Sequence, residues 1–159
     1  MKIMIVYDSF FGNTEQIARA IAGGLGSEVE VTAIRVGDAA PGQLAGVNLL
    51  IVGSPTRAFR PTPAISGFLK RLPNRALEGV RVAAFDTGLA MDDIGSPFLR
   101  FFVRVFGYAA KPISKRLKSK GGKLVAPPEG FFVTGTEGPL KQGELERAGD
   151  WGKRILSAL

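Results

Sequence analysis

The sequence predicts an α/β fold: a doubly wound, five-stranded parallel sheet in the order 2-1-3-4-5, held as a three-layer sandwich in a single domain over residues 1–159. Three observations predict it. Strand-like apolar segments alternate with stretches of helical periodicity along the whole chain. The runs at 3–6 and 47–52 are continuous, the pattern of strands covered on both faces. The first run ends in a small-residue turn that opens into a helix, as in sheets that bind ligands beyond the carboxyl ends of their strands.

The first strand is Lys2 to Tyr7, with Ile3, Met4, Ile5 and Val6 in a row. Asp8 to Thr14 turns the chain, and a helix follows from Glu15. Ile17, Ala20, Ile21, Gly24 and Leu25 share its inner face, and Gly23, Gly24 and Gly26 close it. Val29 to Ile34 alternates, is rich in β-branched residues and reads as the second strand. Val47 to Val52 is the third. The prolines from Gly53 to Pro63 mark a loop. Ile65, Phe68, Leu69 and Leu72 then repeat with helical spacing until Pro73-Asn74.

Val80 to Phe85 is the fourth strand, ending at a loop that begins Asp86-Thr87-Gly88. Between Leu89 and Gly107 the pattern is irregular, with a short apolar helix at Phe98–Phe106 that places Arg100 and Arg104 on one face. A helix over Ala109–Lys120 turns Ile113 and Leu117 inward. Lys123 to Ala126 begins the fifth strand, Pro127-Pro128 interrupts it, and Phe131-Phe132-Val133 resumes it. The last helix runs from about Gly143 to Leu159, with Leu145, Ala148, Gly152, Ile155, Leu156 and Leu159 inward.

Composition narrows the chemistry. Hydrophobic residues make up 45% and charged residues 22%, which are globular values. There is no Cys, hence no disulfide, thiol nucleophile or cysteine metal site. There is no His, which removes Ser-His-Asp triads and the usual general base near neutrality. Redox or group-transfer chemistry would therefore need a bound cofactor. The net charge of +7 suits acidic partners or an anionic surface, although a merely solvated basic face is the leading reading. No nucleic-acid signature accompanies the charge, so nucleic acid is not expected as a partner. The longest apolar window, Ile94 to Ala110, contains two arginines and is too short for a transmembrane segment. No signal-peptide pattern is visible, and a cytoplasmic location is expected.

The turn after the first strand carries the sharpest signal. The N–H groups of a first helical turn have no intrahelical acceptor, and the helix dipole favours an anion there. This turn lacks the Lys of a Walker loop and the glycine spacing of a dinucleotide fingerprint. It offers Ser9, Asn13 and Thr14 around a permissive Gly12. The same residues would also serve an ordinary helix cap at Asn13 or Ser9.

Tyr7-Asp8-Ser9-Phe10-Phe11-Gly12-Asn13-Thr14-Glu15 resembles the phosphate loop of the flavodoxin-like family, written T/S-x-T/S-G-N-T. Phe11 departs from it, standing where a second hydroxyl is usual. The resemblance implies that Ser9, Phe10, Phe11, Gly12, Asn13 and Thr14 bind the phosphate end of FMN. It implies that Ser54, Pro55, Thr56, Arg57 and Phe59 lie beside the flavin ring, and that Asp86, Thr87 and Gly88 flank it. Arg57 also reads as a surface Arg, and Phe59 as a core anchor. Electron-carrying relatives commonly cover the ring with an aromatic from the third loop. Leu89 to Asp93 supplies none, so Met91 or Phe98 would have to substitute.

The resemblance implies an FMN-binding redox protein, with flavodoxin-type electron transfer to a redox partner protein as the leading expectation and the flavin as the bearer of the chemistry. Two alternatives remain open. One is an NAD(P)H:quinone-type oxidoreductase acting on a small quinone-like acceptor. The other is a flavin-free interaction module on the same fold. Phe98–Phe106 serves either as core or as a peripheral membrane or protein contact.

Overall fold

The computed structural model describes residues 1–159, apart from the side chains of Phe102, Val103, Val105 and Phe106. Those four belong to the segment read above as a contact face, and that part of the expectation lies outside the described residues.

The strands are β1 (Lys2–Tyr7), β2 (Glu30–Arg35), β3 (Leu49–Pro55), β4 (Arg81–Leu89), β5 (Lys123–Leu124) and β6 (Glu129–Val133). The helices are α1 (Asn13–Gly24), α2 (Pro63–Arg71), α3 (Pro97–Phe106), α4 (Ala110–Ser119) and α5 (Glu144–Ser157). The sheet runs β2-β1-β3-β4-β5, and every pairing between these strands is parallel. The fifth position is divided. β5 pairs with Arg81 and Val82 at the start of β4, and β6 pairs with Phe85 to Leu89 at its end. Pro127-Pro128 falls between them, because a proline has no N–H to continue the ladder.

The period of two along the strands feeds two apolar layers. Met4, Val6, Leu50, Val52, Val82 and Ala84 face α2 and α4, meeting Phe68, Leu69, Ile113 and Leu117. Ile3, Ile5, Leu49, Ile51, Ala83 and Phe85 face α1 and α5, meeting Ile17, Ile21, Ala148, Trp151 and Ile155. Phe85, Phe131 and Trp151 contact one another edge to face, with centroids 6.1–6.3 Å apart. Each pair adds roughly 0.5–1.5 kcal/mol beyond its buried area.

Two readings of the sequence need correction, and that of Gly24 is extended. Gly24 does more than close α1: a Cβ there would lie 2.0 Å from the Gly149 carbonyl oxygen, so it sets how closely α1 and α5 approach. Gly53 is a strand residue, and a Cβ on it would lie 2.0 Å from the Phe85 ring. Leu145 is exposed, because Glu144 takes the inward position beside it. The Glu144 carboxylate accepts the Phe132 N–H at 2.7 Å and binds Arg147, which reaches on to Glu129. Burial alone would raise the Glu144 carboxyl, but the hydrogen bonds from Arg147 and Phe132 outweigh it and hold the group below its ordinary value.

The strands also run further than the apolar runs suggest. β3 continues through Ser54 and Pro55, and β4 through Asp86, Thr87 and Gly88 to Leu89. Both polar extensions sit in register, with Ser54 opposite Asp86 and Pro55 opposite Thr87. Residues expected in loops therefore stand on the rigid end of the sheet.

Candidate functional site

At the carboxyl ends of β1, β3 and β4 a cavity of about 460 Å³ opens. That is within the range of small-molecule and cofactor sites, roughly 300–1,000 Å³. Its first wall is the β1–α1 turn. Gly12 precedes α1 with φ 89°, a left-handed conformation that a glycine takes without steric cost. No side chain caps α1. The two candidates for a cap are engaged elsewhere. Ser9 Oγ accepts the Gly12 N–H at 3.1 Å, and Asn13 Nδ2 donates to the Glu137 carbonyl at 3.0 Å. The helix dipole and the first-turn N–H groups are thus left to face the cavity.

Thr14 continues this wall. Its hydroxyl lies 2.7 Å from that of Thr87 on β4, and both side chains line the cavity. The sequence reading found no cation in the turn itself, but one comes from the neighbouring strand. Arg35, at the end of β2 and in register with Tyr7, donates to the Ser9 carbonyl and sits 4.0 Å from Asp8 Oδ1. The only available signal was its place as the last residue of an edge strand.

The second wall is Pro55 to Phe59. Arg57 and Arg60 pair through reciprocal backbone hydrogen bonds of 2.9 Å. Ala58 and Phe59, the two residues between them, have φ of 47° and 66°. Two successive non-glycine residues in the left-handed region cost on the order of 1–2 kcal/mol each. The turn holds the Arg57 guanidinium over the Phe10 ring, 5.2 Å from its centroid, so the first and second loops meet.

The third wall is Thr87, Gly88 and Leu89, joined by Ile94, Leu99 and Tyr108. Neither Met91 nor Phe98 lines the cavity, so neither fills the aromatic position considered for it. The aromatic on this wall is Tyr108. Its hydroxyl donates to the Leu89 carbonyl at 2.8 Å, and its ring packs on Gly88, where a Cβ would come within 3.3 Å. Burial, reinforced by the charges of Asp86 and Asp92, pushes the Tyr108 phenol above its ordinary value, so it remains a donor. Tyr108 follows α3 in sequence, too far from β4 for the spacing to reveal it.

Of the residues singled out from sequence, Ser9, Phe10, Phe11, Asn13, Thr14, Pro55, Thr56, Arg57, Phe59, Thr87 and Gly88 line this cavity. Gly12 contributes through its backbone conformation. Ser54 and Asp86 are turned to structural work. Ser54 Oγ accepts the Thr62 N–H at 3.0 Å, and Thr62 in turn caps α2. Asp86 is buried, and its carboxylate accepts the Ala110 N–H at the start of α4 at 2.8 Å. Burial outweighs that bond and lifts the Asp86 carboxyl to about 7, with the nearby Glu129 charge adding to the rise.

Comparison with known proteins fits this arrangement. The sequence profile of the family described as Flavodoxin matches residues 5–151. This chain belongs to the flavodoxin family. Among solved structures, oxidised flavodoxin 1 from Bacillus cereus superposes with a TM-score of 0.79 at 20% identity, covering 100% of this chain and 99% of that one. A flavodoxin from the domain Archaea gives 0.77 at 23% identity, covering 99% and 97%. The Streptococcus pneumoniae flavodoxin gives 0.76 at 17% identity, covering all of both chains. No match was found among curated proteins. Membership of the family makes this a flavin-linked electron-transfer protein.

Proposed function

We propose that this flavodoxin-family chain binds FMN in the 460 Å³ cavity and acts as an electron carrier between proteins. The observation that carries the reading is the N-terminus of α1. It has no side-chain cap and opens beside the buried hydroxyls of Ser9, Thr14 and Thr87, which suits an anion without a Lys. The donor set fits the phosphate of FMN, and Tyr108, Leu89 and Phe59 suit its ring.

Bound FMN supplies reversible electron acceptance and donation. The chain's own residues bind, orient and shield it. Thr14 and Thr87 would offer hydroxyls to its phosphate, Gly12 lets the backbone turn there, and the 57–60 turn and Tyr108 would enclose its ring. Among the described residues the cavity lining contains no carboxylate or amine. Exposed Phe10, Phe11 and Leu99 rim the mouth, while Phe98 and Phe101 of α3 lie exposed close by in sequence. This apolar rim is a natural contact for a redox partner. Among the described residues no helix is long and apolar enough to cross a membrane.

Tyr108 bears on the reductase reading, because with a flavin in this cavity its ring would crowd the side that a small acceptor needs open. The test has two steps. The purified protein should show a flavin spectrum, or acquire one on FMN titration. The reduced holoprotein should then exchange electrons with a ferredoxin reductase while showing no rapid NAD(P)H:quinone turnover. A protein that takes up no FMN refutes the proposal, and rapid quinone turnover transfers it to the reductase class.

A further inference from the structure

Charge is unevenly distributed over this chain. Residues 39–77 hold five Lys or Arg and no acid, and residues 94–128 hold eight and no acid. The two stretches meet in the fold, because α2 packs beside α4 on the same face of the sheet. Between them lies a groove of about 1080 Å³ edged by Arg60, Lys111, Lys115 and Arg116. All four are exposed, and among the described residues none enters an ion pair. The α1 and α5 face differs, since among the described residues three of its four cations are paired locally, as Arg19–Glu15, Arg147–Glu144 and Lys153–Asp150, leaving Arg154. Ala58 and Phe59 line both the groove and the proposed flavin cavity, so the two are continuous across the 57–60 turn.

We infer that the α2/α4 groove is the docking face for a partner protein with an acidic surface, an inference that rests on the electron-carrier reading. Uncompensated like charges that surround a concavity attract the opposite charge and orient its approach. A docked acidic protein would lie against the turn that holds Arg57 over Phe10, beside the cavity mouth. The concave shape favours a protein over a bilayer, which is flat on this scale. Nucleic acid is disfavoured because no recognition signature accompanies the charge.

The test uses the full chain loaded with FMN, an acidic [2Fe–2S] ferredoxin as probe and basic cytochrome c as control, with association followed by interferometry. The ferredoxin should bind and cytochrome c should not. Affinity should fall by about tenfold or more as salt rises from ~20 to ~200 mM. The K111E/K115E/R116E variant should lose at least about tenfold, whereas R19E/K153E/R154E, with the same change in net charge, should lose far less. If the first triple variant fails to fold by circular dichroism, Lys115→Glu alone should show a smaller loss of the same sign.

Equal losses in both triple variants would reduce the effect to net charge and overturn the docking face. Absence of ferredoxin binding, or stronger binding to anionic phospholipid vesicles or a DNA duplex, would also overturn it. FMN uptake is read separately from its spectrum. Absence of ferredoxin binding by the FMN-loaded parent chain counts against this face alone, and ferredoxin binding by a parent chain that takes up no FMN counts against the electron-carrier reading alone.

Discussion

The hydroxyls of Thr14 and Thr87 lie 2.7 Å apart, joining the first turn of α1 to the end of β4. Each belongs to a different wall of the cavity, and each has one hydroxyl to offer an anion. Thr14→Val keeps the shape and removes one donor. It should weaken FMN binding by about 1–3 kcal/mol, measured by fluorescence titration. An affinity equal to that of the parent protein would remove Thr14 from the phosphate site.

Tyr108 plays two separable parts. Tyr108→Phe loses the hydrogen bond to the Leu89 carbonyl and should cost about 0.5–1.5 kcal/mol in urea unfolding. Tyr108→Leu loses the ring as well, and FMN affinity should fall by a further ~0.5–1.5 kcal/mol. Undiminished affinity in the Leu variant would show that the ring does not contact the flavin.

Asp86 makes stability depend on pH with an unusual sign. Its folded-state value is about 7 against an ordinary 3.8, chiefly through burial. Between these values the folded chain holds a proton that the unfolded chain has released. Its contribution to stability is therefore complete at low pH and declines as pH rises toward 7. Asp86→Asn keeps an acceptor for the Ala110 N–H without a buried charge. Urea unfolding should show a gain on the order of 2–4 kcal/mol at pH 8 and little change at pH 4. A variant less stable than the parent protein at pH 8 would contradict this account.

Two adjacent glycines in α1 should respond oppositely. A Cβ at Gly23 meets nothing within 4 Å, whereas one at Gly24 would strike the Gly149 carbonyl. Gly23→Ala should stabilise by about 0.5–1 kcal/mol through helix propensity. Gly24→Ala should destabilise by about 1–3 kcal/mol by forcing α1 from α5. Thermal unfolding distinguishes them, and a shift of the same sign in both would refute the close-approach role of Gly24.

The strand order was legible because continuous apolar runs separated by helical periodicity leave few topologies for a parallel sheet. The phosphate turn was legible because its residue types sit within one short stretch. Tyr108 and Arg35 were not, because tertiary structure brings them to the site from α3's far end and from an edge strand. Asp86 and Ser54 lay at positions where a ligand contact and a buried hydrogen bond call for the same residue types. Leu145 was misplaced because period alone favours the larger apolar side chain, while the geometry at β6 selected the carboxylate of Glu144.

The edge-to-face cluster of Phe85, Phe131 and Trp151 has a practical consequence. Trp151 is the sole tryptophan of the chain and is 3% exposed. It joins the last helix to β4 and β6, which end beside the cavity. Its emission is therefore an intrinsic optical reporter that needs no label. A buried indole emits to the blue of a hydrated one, so the colour of its fluorescence follows the docking of α5 on the sheet. Because the flavin would absorb in the region where tryptophan emits, the intensity of the same signal would follow cofactor loading.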